Sequence, residues 1–212
     1  MNPADDLAKR IASGLGRLAL ALKTKTWKGA IAEGVTPTQG EVLARLVDLP
    51  AGSRLSDLAN QLGVSAPTVS DAVSTLVSKS LVEKHEGKDK RSVKIKLTKE
   101  GKRLAARAAD WTDFLIKAAE TLSIQERENF LVILIKIIRA LQESGDITPQ
   151  RMCLTCEHFL PYAHSDAANP HHCAFIDMAF GASALKLNCA DHTEITDSER
   201  DLKWQKFLMP TP

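Results

Sequence analysis

The chain has no segment that would cross a membrane and no opening stretch that reads as an export signal. Its longest dense apolar run, Phe130 to Ile138, is nine residues long and is interrupted by Lys136, where a bilayer demands roughly 18. The first 30 residues alternate Asp, Lys and Arg with Leu and Ala and never build an apolar signal core. A cytoplasmic location is expected, with no membrane partner. Aromatic residues are few, six Phe, three Trp and one Tyr in 212 residues. At 44% hydrophobic and 25% charged, the composition is otherwise that of a soluble globular protein. No cysteine precedes residue 153, and no His-Glu-x-x-His motif accompanies the cysteines that follow, so the usual sign of a zinc hydrolase is missing.

What is present falls into two parts. At about 150 residues per domain, the length predicts one domain and a remainder. Residues 1–150 carry 23 Lys and Arg against 18 Asp and Glu, whereas 151–212 carry 5 against 8. All four Cys lie between 153 and 189, and five of the six His, at 158, 164, 171, 172 and 192, fall in or just beyond that window. Glu143 to Gln150 (ESGDITPQ) reads as a linker. The expected division is a first domain over 1–148 and a Cys- and His-rich extension over 149–212.

In the first part, Leu7, Ile11, Leu15, Leu18 and Leu22 recur at spacings of four and three, the stripe of an amphipathic helix over about 4–32. Thr36 followed by Pro37 opens a second helix carrying Val42, Leu43, Leu46 and Val47. Ser56 is expected to cap a third through Leu62, with Gly63 ending it, and Ser65 to start a fourth. Leu58, Leu62, Val64, Val69, Val73, Leu76 and Val77 should face inward. Val82 to Glu86 and Ser92 to Thr98 read as strands, the second alternating Val93, Ile95 and Leu97 with Lys94 and Lys96, and the polar run Gly87 to Arg91 as their turn. Lys84 to Arg103 holds nine Lys and Arg against three Asp and Glu, a basic hairpin suited to phosphates. The expected fold is mainly α with a small β-wing, an α+β winged helix-turn-helix.

These residues resemble the MarR family of bacterial transcription regulators. The resemblance runs over about residues 4–142. It rests on Thr36-Pro-Thr-Gln39, on LSDLANQLGVSAPTVSDAVSTLVSKSLV, and on a wing in which Asp89 and Arg91 stand two apart before Leu97-Thr98-Lys-Glu-Gly101. It implies an obligate homodimer, usually a repressor, on a pseudo-palindromic operator in double-stranded DNA. Carried onto this chain, the recognition helix is Ser65 to Lys79, with Ala66, Thr68, Ser70, Asp71 and Ser74 facing the major groove. Arg91, oriented by Asp89, would reach the minor groove, where narrow A·T-rich stretches attract a guanidinium. Lys88 and Lys90 would meet phosphates. Two positions depart from the family. Asp71 stands where many members carry Arg or another polar donor, and its carboxylate can accept from a cytosine amino group. Ser80 stands where a Gly often ends the recognition helix.

Dimerisation has separate support. Thr98 is expected to cap a long helix to about Thr121, and Ser123-x-x-Glu126 is a capping box opening another through Leu141. Phe130, Leu131, Val132, Ile133, Leu134, Ile135, Ile137 and Ile138 make that last helix apolar around most of its circumference. A second chain, packed there and against the first helix, would cover what one subunit leaves bare.

In the tail, Cys153 and Cys156 form a CxxC, followed after sixteen residues by Cys173 and after fifteen more by Cys189. Four soft ligands in a reducing compartment are a metal pattern; disulfides rarely persist there, and no βαβ context marks a redox CxxC. Only one pair is close, and wide single-Cys gaps suit a wrapped cluster. The first two gaps also resemble those of high-potential iron–sulfur proteins, the last being slightly longer. An iron–sulfur cluster, [4Fe-4S] or [2Fe-2S], on Cys153, Cys156, Cys173 and Cys189 is the expected cofactor, with Zn2+ the alternative. The His residues are expected at the surface or behind the ligands, with His171 and His172 the nearest substitutes. Phe159, Tyr162, Phe175, Phe180 and Trp204 should form the core of a tail of about 60 residues that needs a metal staple. The sequence thus reads as a regulator rather than an enzyme, its operator binding controlled by a cluster that senses redox, oxygen or iron state. The alternative is a repressor answering a small aromatic ligand, with structural zinc in the tail.

Overall fold

A computed structural model describes residues 3–86 and 93–209. The chain is mostly helical with two small antiparallel sheets, the α+β class expected. It divides into two compact units, residues 1–118 and 119–212.

In the first unit, α1 (Pro3–Ala32) leads into α2 (Pro37–Val47) through a capping box. The Thr36 hydroxyl accepts the Gln39 amide at 3.2 Å and Gln39 Oε1 accepts the Thr36 amide at 3.1 Å, so two donors that α2 could not satisfy internally are paired. α3 (Leu55–Leu62) starts from Arg54 without a side-chain cap; Ser56, expected to cap it, lies in the first turn with its hydroxyl on Asp57. Gly63, at φ 63°, ends α3 in a left-handed conformation open to glycine without penalty. α4 (Ala66–Ser78) begins where the Ser65 hydroxyl accepts the Thr68 amide at 3.3 Å. Leu58, Val69, Val73 and Leu76 are sealed against Val42 and Leu43 of α2. Val77 is 37% exposed, against expectation, because Ala72, Val73 and Leu76 already fill the inner stripe and the next residue turns about 100° away from it. Val47 is likewise exposed.

The wing pairs β1 (Val82–Glu86) antiparallel to β2 (Val93–Leu97), Val82 facing Leu97 and Glu86 facing Val93. Ser53 exchanges two backbone hydrogen bonds with Ile95, at 3.1 and 2.8 Å, which ties the loop before α3 to the wing. Thr98 caps α5 (Lys99–Ala109): its hydroxyl accepts the Gly101 amide and donates to the Ser80 carbonyl at 2.8 Å. Gly101 passes so close to the end of α4 that a Cβ there would fall 1.8 Å from the Leu81 carbonyl oxygen. Ser80 itself sits at φ 58°, so this chain holds a left-handed residue without glycine's freedom. The helix expected from Thr98 to Thr121 is broken. α5 ends at Ala109, a 3-10 turn spans Asp110–Thr112, and α6 runs from Asp113 to Glu120. The break turns the Trp111 ring towards α1 and α2, where Gly29 and Gly40 leave room for it; a Cβ on either would lie 2.5 Å from the indole.

In the second unit, α7 (Ile124–Glu143) opens on the expected Ser123–Glu126 capping box. Ile135 is 1% exposed and packs, with Leu131 and Val132 beside it, in one core with Leu154, Phe159, Phe180 and Phe207. This shared core places α7 with the tail, so the packing divides at 118/119 although the composition changes near 148. The tail also carries a three-stranded antiparallel sheet, β3 (Phe159–Leu160), β4 (His171–Cys173) and β5 (Met178–Phe180). α8 (Asp197–Leu208) follows, capped by Thr196 with Glu199. No helix among the described residues is long and apolar enough to cross a membrane.

Replacing Ser80 with Gly should raise stability by about 1 kcal/mol by relieving the left-handed backbone. Gly101→Ala should lower it by about 1–3 kcal/mol through overpacking. Urea unfolding midpoints check both; no movement in either variant would contradict the geometry of this helix junction.

Candidate nucleic-acid interface and thiol cavity

The outer face of α4 is polar and open. Ala66, Thr68, Asp71 and Ser74 are exposed and Ser70 is half-buried, opposite the sealed Val69, Val73 and Leu76. Burial of one stripe thus sets the orientation of the other, and all five expected groove-facing residues belong to this helix. Thr68 is not free to turn, since its hydroxyl lies 2.7 Å from that of Ser65. Thr75 and Ser78, exposed or half-buried on the same helix, bond back to the Asp71 and Thr75 carbonyls and so have less to offer a base edge. The amide end of α4 adds the partial positive charge of a helix N-terminus. Lys84, Lys94, Lys96, Lys99, Lys102 and Arg103 supply cations on the wing and the start of α5. Lys88, Lys90 and Arg91, expected at the wing tip, and Asp89 beside them lie outside the described residues.

In the tail, Cys153, Cys156, Cys173 and Cys189 all line one cavity of about 240 Å³. Three separate segments bring them there. The 3-10 turn Cys153–Thr155 presents the CxxC, β4 ends on Cys173, and the loop after Leu187 supplies Cys189. Backbone bonds hold both outer segments, from the Cys153 amide to the Lys186 carbonyl at 3.1 Å and from the Cys189 amide to the Arg151 carbonyl at 2.9 Å. None of the four is in a disulfide. Burial pushes the Cys153 thiol up, while the Lys186 amide, 3.3 Å from its sulfur, works the other way. The other three cysteines are near enough for their thiolates to add to the upward push.

Phe159, Phe175, Ile176, Met178 and Phe180 form the apolar wall of this cavity, and His158 and Asp191 reach its lining. Among the described residues, no group of three or more His, Cys, Asp or Glu is gathered so that it could hold a metal ion. The thiols stand around a space instead.

The remaining His residues lie elsewhere. His171, 3% exposed, sits among Phe159, Tyr162, Phe180 and Phe207, and burial pushes it down to about 4, so the ring is neutral. Its Nδ1 accepts the Tyr162 amide at 3.3 Å. His164 and His172 pair with each other at 3.2 Å, and His192 meets the Thr155 hydroxyl at 2.9 Å. Of the five, only His158 lines the thiol cavity. Phe175, expected in the core, is 54% exposed at the cavity rim. The centre of the aromatic cluster is instead Phe207 of α8, which touches Phe159, Tyr162, His171 and Trp204. Its i, i+3 spacing from Trp204 was the available signal.

Helices α2 to α4 with a basic two-stranded wing define a winged helix-turn-helix. Residues 33–92 match the family model of the MarR family. The fold is similar to YusO from Bacillus subtilis, at 26% identity and TM-score 0.50 over 66% of this chain and 99% of that one. It is also similar to MepR of Staphylococcus aureus in its DNA complex, at 25% identity and TM-score 0.54 over 61% of this chain and 97% of that one. A mutant MepR from a multidrug-resistant clinical isolate of the same organism gives 25% identity and TM-score 0.52 over 62% and 97%. No curated protein matches. The family match ends before the first thiol.

Phe159→Ala should destabilise the second unit by about 3–5 kcal/mol, as loss of a sealed aromatic does. Denaturation followed by Trp204 fluorescence checks this; a loss under about 1 kcal/mol would show that the rings around Phe159 close the gap.

Proposed function

We propose that this protein is a dimeric DNA-binding transcription regulator, acting as a repressor, whose operator binding is set by an iron–sulfur cluster on Cys153, Cys156, Cys173 and Cys189. The DNA-binding part is supported by the likeness to MepR, solved bound to DNA, and by the open face of α4 beside a cationic wing. Ala66, Thr68, Ser70, Asp71 and Ser74 would read the major groove, and Arg91, Lys88 and Lys90 would hold the minor groove and phosphates.

Dimerisation is supported by two apolar faces that nothing within their own units covers. On α1, Leu7 and Ile11 are 53% and 50% exposed; on α7, Phe130 and Ile133 are 43% and 51% exposed. The α7 helix is apolar on two sides because it has two partners to satisfy: Leu131, Val132 and Ile135 turn to the tail, leaving the other side for a second copy.

The observation that carries the regulatory part is that four thiols from three segments line a single cavity. Its volume of about 240 Å³ exceeds what one ion needs, and all-thiolate ligation in an apolar pocket suits a cluster of several irons. When bound, such a cluster supplies a redox-sensitive cross-link between the three segments. The chain's own contribution is to hold the sulfurs apart at fixed positions and to pass their arrangement to α7, with which the tail shares its core. Paired recognition helices tolerate little change in half-site spacing, so a shift of α7 at the dimer seam alters affinity.

Arg91→Ala should weaken binding most at operators with A·T-rich flanks. Lys88→Ala should lower affinity across sequences and reduce the salt slope by about 1; both are read by fluorescence anisotropy across a salt series. Anaerobically purified protein should be brown and contain iron, and Cys153→Ser should lose the colour and the response of DNA binding to oxidant. Colourless wild-type protein with stoichiometric zinc would replace the cluster by a passive staple.

A further inference from the structure

The helix α8 touches both the backbone that carries the CxxC and α7, through different side chains. At the CxxC, Lys203 Nζ donates to the carbonyls of Cys156 and Glu157, each at 2.7 Å. Cys156 therefore carries a cavity thiol on its side chain and a Lys203 acceptor on its backbone. At α7, Asp201 accepts from the Arg139 guanidinium at 2.8 Å, and the same nitrogen lies 2.9 Å from Glu143. Arg139 is 4% exposed, so its charge depends on these two carboxylates for partners. Between the two ends, Phe207 anchors α8 in the aromatic cluster around Phe159.

The region around that ion pair is incompletely bonded. Arg139 Nε, both side-chain polar atoms of Gln142, and Arg200 Nε are sealed from water without a partner. Sealed, unpaired polar atoms are costly, and each stands to gain from a small displacement that brings it an acceptor or a water. Two of these side chains lie one turn apart on α7 and the third lies on α8, next to Asp201. The contact between the helices thus holds unmet hydrogen-bonding capacity, unlike the aromatic cluster nearby.

We propose that α8 is a strut that conveys the state of the thiol cavity to α7, with Lys203 as its input and the Asp201–Arg139 pair as its output. The proposal rests on the cluster reading given above. When the thiols are held, the Cys156 and Glu157 carbonyls are fixed and Lys203 keeps α8 in place. When they are released, the CxxC turn relaxes, Lys203 follows the carbonyls, and Asp201 no longer holds Arg139. The C-terminal half of α7 then loosens. Lys203 and Asp201 are positioning residues, since neither lines the cavity.

The test compares wild type with Asp201→Asn and Lys203→Met, each full-length, loaded anaerobically or stripped of iron with a chelator. Three quantities are read: iron content, deuterium uptake over residues 135–143, and affinity for a duplex selected by the wild type from a random pool. In the wild type, stripping should raise deuterium uptake and change affinity by about tenfold. Both variants should bind iron as the wild type does, yet show a stripping effect on affinity of less than about twofold. Asp201→Asn protein that loads iron and still responds fully would overturn the strut while leaving the cluster reading intact. A wild type that loads iron but responds in neither exchange nor affinity would remove the regulatory reading and the strut with it. Failure of Lys203→Met to load iron would make Lys203 part of the cavity's scaffold and end its role as transmitter.

Discussion

The interaction on which the winged helix depends is the burial of one stripe of α4. Val69, Val73 and Leu76 are sealed against Leu58 and the α2 residues Val42 and Leu43, and this fixes the rotation of the helix about its own axis. Once the inner stripe is set, Ala66, Thr68, Asp71 and Ser74 can only face outward. The wing is then locked to the same core from two sides, by the Ser53–Ile95 bridge and by Thr98 reaching back to the Ser80 carbonyl. The outer face of α4 and the wing are therefore positioned by backbone hydrogen bonds and close packing rather than by mobile side chains.

The tail solves a different problem. Its strands have two or three residues each, too few to be stable by backbone pairing alone. Order comes from the ring cluster around Phe159 and Phe207 and from the core shared with α7. The thiol cavity opens beside that cluster, so its rear wall is rigid and its rim, with Phe175 and Met178 half-exposed, is not enclosed. Of the three segments that carry the thiols, only the one with Cys173 belongs to the small sheet, so the cluster proposed above would join that strand to two segments outside the sheet.

Much of this was readable in advance where a local rule carries the information. Ser65, Ser123 and Thr98 cap the helices their positions announce, and Gly63 ends α3 as its position announces. The alternation in β2 puts Val93, Ile95 and Leu97 on one side, of which Ile95 is buried while Val93 stays 43% exposed. Misreadings arose where a distant neighbour decides. Trp111 breaks a helix whose own residues would continue it, because Gly29 and Gly40 offer the ring a place. Phe175 lies at a rim and Phe207 at a centre, although either is a plausible core residue when only chain-local patterns are read.

By itself the sequence determined the order of helices, the period of their inner faces, and the grouping of four cysteines in one segment, since each follows from spacing along the chain. Tertiary structure alone decided that the thiols stand around an apolar-walled space with Phe175 at its rim, that α7 belongs with the tail rather than with the helices before it, and that α8 reaches both α7 and the backbone of the CxxC. Those outcomes depend on which surfaces meet across tens of residues. Spacing carries no record of such meetings, because apolar burial rewards any well-packed pairing and only the folded chain selects one.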